Sequence, residues 1–591
     1  MAKILLDVAA GASPWHDMPA TVMLAEYLQQ FGHEVVNFTY HTRTIDAILC
    51  NHNPDFRPVL KWAEETIANV ESDPAQLYLA WETIERISKR VPYAGEFYVR
   101  HNNFHFTSKH DTNTIDGLMK AIADRENNLW YSRAKDFEAG AIVCQHPDIY
   151  GLSVTDPRQL ENGCIMAGRV KELSPDTIVI LGGNFFAQVP AAREHKDFGK
   201  FGQFCDAVCY REGFKPLKEL AATLDPSQAS GVVWFKDGKA IINPPTDEPV
   251  DFATLPRPRP WEVHTWLPIR VRTLFTQSNC PFRCEFCAIP AGSDTYHNKP
   301  RARPPKQIAL DIVAAQAKYV SFADECMPIE RQLEIGAELK RLGWQAIWRA
   351  FMNFEEGLLY SSVCRDLYDA GLRICETGFE SLSPKTLTQA RKRFNRPEDY
   401  ATILRNLHGA GINSHVFLMT GYPGEHILDT LCWLPFIADN PPTTAVGGRF
   451  QIPQMSLIGQ SGGKGYEKYI RIHLPTDKPL RPNLDFEYLD YEDEDGKLVR
   501  MNHKIVRAVR TILEECFRRV PCYPATSSCI KWEHRLLYRP EELEEIARQL
   551  PPPEVDSHLA PALKLIGNYL GAEFELYEDL LEFMRRYVAV A

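Results

Sequence analysis

Three cysteines, Cys280, Cys284 and Cys287, stand in the segment SNCPFRCEFCAIP with the spacing C-x3-C-x2-C. Thiolates are soft ligands that suit iron–sulfur clusters and zinc. A zinc site needs a fourth ligand, and structural zinc sites usually present two tight pairs. His297 is the nearest candidate for that fourth place. A [4Fe–4S] cluster held by three cysteines instead leaves one iron open to a substrate or cofactor, so the missing ligand becomes the functional feature of the site. The spacing therefore favours a cluster. The remaining cysteines are scattered, most of them in apolar runs such as GAIVCQ (Cys144) and LRICETGFE (Cys375). They read as buried small side chains, not as disulfides.

A ligand loop of this kind needs a rigid scaffold. Candidate strands fall at VRTLFTQ (271–277), YVSFAD (319–324), QAIWRAF (345–351), RICETGFE (373–380), SHVFLMTG (414–421) and GGRFQIP (447–453), with one helical stretch in each gap. Six such units predict an open parallel barrel over 266–460. The triad then lies just past the first strand, on the rim where barrel loops build active sites. Upstream, KILLDV (3–8), DIYGLSVTD (148–156), DTIVILGG (176–183) and DAVCYREG (206–213) alternate with helices. That alternation predicts an α/β, doubly wound, Rossmann-like parallel sheet over 1–250. Residues from about 50 to 135 read as a helical insertion, and GVVWFKDGKAIINPP as a hairpin leaving the domain. The proline-rich DFATLPRPRPWEV marks a linker, 251–265. Residues 461–591 read as a mostly helical capping or substrate domain.

The bulk numbers narrow the partners. The chain has 591 residues, 45% hydrophobic and 24% charged, with a net charge of −11 and no long basic run. Nucleic acid and anionic membrane are therefore not expected partners. No stretch approaches the 18 unbroken apolar residues of a transmembrane helix, and a cytoplasmic location is expected. Cys516, Cys522 and Cys529 are too loosely spaced to favour an auxiliary cluster over structural or free thiols. The run DYEDEDGK (490–497) lacks the calcium-loop pattern and reads as a solvated acidic turn.

Taken in order, these segments resemble the radical S-adenosylmethionine (SAM) superfamily. The matching features are the triad with Phe286 before its last cysteine, FADE (322–325), GFESLS (378–383) and FLMTGYPGE (417–425). The resemblance implies that SAM chelates the free iron through its amino and carboxylate groups. One electron, from an external donor such as flavodoxin or ferredoxin, then cleaves a C–S bond. The resulting 5′-deoxyadenosyl radical takes hydrogen from an unactivated carbon. It also implies that Cys280, Cys284 and Cys287 ligate the cluster and that Phe286 lines the SAM site. Asp324 or Glu325 would lie near the SAM amino group, and Arg349 or Glu380 near its carboxylate or ribose. Read without the family, Asp324 and Glu325 could be a solvated strand end and Arg349 half of a barrel ion pair.

Ligands of doubly wound sheets sit beyond the carboxyl ends of the strands. Gly182 and Gly183 there would let a large flat ligand approach the backbone, and Ser153 and Thr155 offer hydroxyls to its tail. No G-x-G-x-x-G is present, which argues against a dinucleotide; ordinary turn glycines are the other reading. The order of segments resembles the cobalamin-binding domain that precedes the barrel in cobalamin-dependent radical SAM enzymes. It implies a corrinoid near Ser153, Thr155, Gly182, Gly183, Glu212 and Gly213. The D-x-H-x-x-G that supplies a cobalt-binding histidine is missing. His16, in SPWHDMP, lacks its spacing and reads as a loop histidine.

The function implied is C-methylation of a natural-product, peptide, lipid or tetrapyrrole substrate. One SAM would methylate cob(I)alamin and a second would supply the radical. Alternatives are cyclisation, rearrangement or oxidation on the same architecture, with or without cobalamin. A non-catalytic iron–sulfur or corrinoid sensor is a further one.

Overall fold

A computed structural model of the chain describes residues 1–11, 19–38, 48–50, 53–91, 95–100, 103–131, 133–246, 249–257, 271–289, 301–531 and 533–590. His16, His297 and the linker beyond Arg257 fall outside these residues. The chain divides into two compact units. The first comprises Met1–Asn279, Gly292–Ala317 and Pro475–Asn483; the second comprises Cys280–Ala291, Lys318–Leu474 and Leu484–Ala591.

The first unit is built on seven strands: β1 (Lys3–Val8), β2 (Glu34–Asn37), β3 (Ile149–Ser153), β4 (Ile178–Gly182), β5 (Ala207–Cys209), β6 (Val232–Lys236) and β7 (Lys239–Ile242). They lie in the order β2-β1-β3-β4-β5-β6-β7, parallel through β5. Successive residues of a strand face opposite sides. Ile4, Leu6 and Ile180 therefore enter one core, with helices Pro19–Gln29 and Phe214–Thr223. Leu5, Leu152 and Leu181 enter the other, with helix Pro157–Leu173. Apolar residues on both faces are what a sheet covered by helices on both sides requires. The hairpin β6–β7 does not leave the domain as expected. It completes the sheet, with Trp234 antiparallel to Ala207.

The insertion is helical at Arg57–Ala68, Pro74–Ser88 and Ile115–Ala123. It also contains an antiparallel hairpin, Glu96–Arg100 with Asn103–Thr107, that the sequence reading missed. The signal was the alternating aromatics of EFYVR and FHFT around an asparagine pair. Segment Pro475–Asn483 packs on this insertion: Lys478 pairs with Asp111 at 2.9 Å, and Leu480 N–H donates to the Asn113 carbonyl at 3.1 Å.

All six predicted barrel strands are present. A short strand β8 (Arg272–Leu274) and the two-residue strands β9 (Gln277–Ser278) and β10 (Arg301–Ala302) belong to the first unit. In the second unit β11 (Tyr319–Phe322), β12 (Ile347–Met352), β13 (Leu372–Glu380), β14 (Asn413–Thr420) and β15 (Thr444–Arg449) run side by side in chain order, all parallel. The barrel is open at β15. This last strand starts at Thr444, before the predicted GGRFQIP, because the β-branched TTAV adds to it. Trp348 points outward, its indole N–H donating to Gln332 at 2.9 Å, so Arg349 and Phe351 point into the lumen.

The C-terminal region is less purely helical than expected. Ile470–His473 pairs antiparallel with Asn483–Tyr488, and Tyr491–Glu492 with Leu498–Val499. The acidic run forms the turn of this last hairpin. Helix His503–Arg518 follows and lies against β15, with Phe517 over Gly447. Among the described residues no helix is long and apolar enough to cross a membrane.

Candidate active site

The cysteine loop is fastened largely by the residues between its cysteines. Phe282 packs on Phe394, ring centroids 4.3 Å apart. Glu285 donates its backbone N–H to the Ala390 carbonyl at 3.1 Å and accepts at its own carbonyl from Ile458 at 3.2 Å. Its carboxylate pairs with Arg391. Phe286 enters a cluster with Met419, Tyr422, Ile458 and Tyr466. A tight turn from Cys287 N–H to the Cys284 carbonyl, 3.2 Å, sets the last two thiols.

The thiols sit where a bare thiolate is costly. Burial pushes Cys280 and Cys284 up to about 12 and raises Cys287 as well. Backbone hydrogen bonds of Phe282 and Ile289 favour the anions of Cys280 and Cys287, and Lys392 favours those of Cys284 and Cys287. Amide donors aimed at half-buried sulfurs, with the main counter-charge still to be supplied, fit thiolate ligands of a metal centre. Among the described residues no three such side chains converge tightly enough for a single metal ion. A cubane does not need that convergence, because each cysteine ligates a different iron.

Three further groups surround the loop. Glu325, just past β11, raises the pKa of Cys280 and Cys287 through its charge. Its neighbour Asp324 is buried and acts on Arg331. The Glu325 charge thus reaches two of the three thiols. Glu380 ends β13 in a left-handed backbone conformation, φ 63°. Its carboxylate pairs with the buried Lys392 at 2.9 Å. Lys392 was not singled out in the sequence. It lies in ARKRFNRP, which reads as an ordinary basic run, and only the fold brings it beside Cys284 and Cys287. Burial opposes its charge, but Glu380 and the two sulfurs outweigh that and hold its pKa above the ordinary lysine range.

Arg349 is engaged elsewhere. Its guanidinium pairs with Glu376 and donates to Ser321 Oγ at 2.7 Å. Glu533, Arg535 and His415 lie in the same buried charged layer. The ion-pair reading of Arg349 matches its observed partners. On the same face of the sheet Phe351 and Phe417 stack at 6.1 Å.

In the first unit the predicted residues lie at the carboxyl ends of the strands. Ser153 closes β3, between Val8 and Gly182. The Thr155 N–H and hydroxyl both donate to Gln159 Oε1, at 2.7 and 2.9 Å, so this hydroxyl shapes the loop. The two glycines differ. A Cβ on Gly182 would lie 3.6 Å from Cys209 Cβ, ordinary contact, whereas Gly183 has φ 100° and its Cβ would overlap the Val154 carbonyl. Gly213 precedes helix Phe214–Thr223. Glu212 is paired with Arg301 and Ser278. The cysteines Cys516, Cys522 and Cys529 are buried; Cys522 and Cys529 each donate to a backbone carbonyl, and Cys516 bonds to Tyr577.

Residues 274–430 match the radical SAM superfamily. A bacteriochlorophyllide d C-12(1)-methyltransferase from Chlorobaculum tepidum is 24% identical over 274 residues, 44% of this chain and 55% of that protein. The chain thus spans about half the length of this curated relative. The methyltransferase TsrM from Kitasatospora setae, solved with cobalamin and a [4Fe–4S] cluster, superposes with a TM-score of 0.56 at 14% identity, covering 93% of this chain and 99% of that one. OxsB, a cobalamin-dependent radical enzyme solved with aqua-cobalamin and SAM, gives 0.55 at 14% identity, covering 99% and 78%. The chain carries a radical SAM domain. Across nearly its whole length it shares the fold of TsrM and OxsB.

Proposed function

We propose that this chain is a cobalamin-dependent radical SAM C-methyltransferase. The carrying observation is the loop that holds three half-buried thiols at the mouth of an open parallel barrel, in a chain whose fold is shared over nearly its whole length with TsrM and OxsB. Cys280, Cys284 and Cys287 hold a [4Fe–4S] cluster, whose open iron supplies reductive cleavage of SAM when both are bound. Glu325 receives the SAM ammonium. Lys392 takes the carboxylate, a role first expected of Arg349 or Glu380, and Glu380 holds Lys392 in place. Phe286 backs the loop. Ser153, Gly182 and the loop through Gly183 receive a corrinoid at the strand ends, without a protein imidazole of the D-x-H-x-x-G type.

The acceptor is a small molecule with a flat face. Two comparisons support this: the relative's name specifies a bacteriochlorophyllide, and TsrM has been solved with tryptophan. The Phe351–Phe417 stack offers such a ligand an apolar surface. The electron comes from a flavodoxin- or ferredoxin-type donor, and a reducing cytoplasm suits the thiols.

The test is anaerobic reconstitution with iron, sulfide and hydroxocobalamin, followed by removal of unbound cofactor. About four irons and one cobalt per chain are expected, then 5′-deoxyadenosine and methyl transfer from labelled SAM. Iron without cobalt would overturn the methyltransferase reading and leave a cobalamin-free radical enzyme.

A further inference from the structure

A ligand loop is only as well placed as its neck. β9 and β10 pair antiparallel, Gln277 opposite Ala302 and Ser278 opposite Arg301, and so close the cysteine loop just before Cys280. Asn279, at φ 74°, turns the chain out of this ladder. Gln277 Nε2 holds the Asn279 carbonyl at 3.1 Å. A two-residue ladder is marginal alone, and side chains reinforce this one. The Ser278 hydroxyl accepts from Arg301 Nη2 at 2.8 Å and donates to Glu212 Oε1 at 2.9 Å. Arg301 also pairs with Glu212 directly. Its other arm, Nη1, donates to the Val250 carbonyl at 2.8 Å, and the guanidinium lies 5.2 Å from the Phe252 ring centroid.

One guanidinium therefore gathers three separate stretches: the loop after β5 of the Rossmann-like sheet, the start of the linker and the neck of the loop. Charge-assisted bonds to fixed partners are the strong, directional kind, and arginine's planar fork can serve several acceptors at once where lysine cannot. We propose that Arg301 is a positioning residue for the cluster. It fixes the loop's neck against Glu212 and Val250 and so sets the geometry in which the cluster meets SAM. Glu212, expected from the sequence to face a corrinoid, serves the neck. This inference rests on the cluster and SAM reading above.

The test compares full-length wild type with R301Q, R301K, E212Q and S278A after anaerobic reconstitution. Iron per chain is measured first. SAM is then titrated against the electron paramagnetic resonance spectrum of the reduced cluster. R301Q is expected to keep wild-type iron, because the thiols are intact, but to need at least about tenfold more SAM for the spectral change, since small misplacements cost such factors. E212Q and S278A should shift a few-fold, and R301K should recover part of the loss. A wild-type titration in iron-loaded R301Q overturns the proposal. If R301Q does not fold, a wild-type curve in E212Q does so. A wild-type protein that takes up no iron overturns the cluster reading itself, before any variant is compared.

Discussion

Ser381 donates its hydroxyl proton to Glu425 Oε1 at 2.5 Å, joining two segments 44 residues apart. GFES ends β13 and GYPGE follows β14, so the hydrogen bond locks two neighbouring rim loops together. Thr430 donates to the other oxygen at 3.1 Å. Burial, aided by Asp429, lifts the Glu425 pKa to about 8 against the hydrogen bonds that favour the anion.

A carboxyl whose folded pKa is raised stabilises the fold fully below its unfolded value, and that contribution fades as pH climbs through the folded value. Raised to about 8, the Glu425 carboxyl should cost the fold stability as pH climbs from about 4.5 to about 8, and little more above that. Melting temperatures of wild type and E425Q between roughly pH 4.5 and 9 check this. Wild type should lose stability up to about pH 8 and then level off, while E425Q, which cannot ionise, stays flatter. Parallel curves would refute it.

Cys284→Ala removes a central ligand while leaving the anchors Phe282, Glu285 and Phe286 untouched. The reconstituted variant should lose the sulfur-to-iron absorbance and all SAM cleavage, yet keep a melting temperature close to that of the apo wild type. Cleavage retained by this variant would remove the cluster from these residues.

Much of this was legible because the signals are local. The cysteine spacing, the β-branched strand cores and the order of the rim segments are written within a few residues each. What was not legible depends on closure of the chain. Lys392 becomes a site residue only because β13 and the helix after it bring ARKRFNRP back over Glu380. Arg301 looks like any arginine until β10 pairs with β9. Asp324 and Glu325 are adjacent, and sequence cannot say whose charge reaches the thiols. Gly182 and Gly183 are likewise alike on paper, and only backbone angles separate them.

That separation predicts opposite outcomes for two neighbouring substitutions. Gly183→Ala forces a side chain into φ 100° and onto the Val154 carbonyl. It should destabilise the first unit by about 1–3 kcal/mol from strain alone, more with the overlap. Gly182→Ala meets only Cys209 at ordinary contact distance and should fold normally. Gly182→Leu then becomes the cleaner probe of the strand-end site: cobalt retained per chain should fall while the melting temperature holds. Unchanged cobalt in folded Gly182→Leu would move the corrinoid away from this edge.

Lys392 and Glu380 form a buried ion pair, their side chains 7% and 14% exposed. Removing one partner of such a pair leaves a buried charge and typically costs about 3–5 kcal/mol, whereas replacing both is far milder. K392M should therefore melt well below wild type, and E380Q/K392M should recover much of the difference. That recovery tests the pair alone. The role toward SAM is read separately, by titrating SAM into the iron-loaded double variant. With the cluster intact and the fold restored, affinity should still fall by about tenfold or more, as loss of a charge-assisted bond to a carboxylate requires. Wild-type affinity in the double variant would make Lys392 a structural cation and return the SAM carboxylate to another residue.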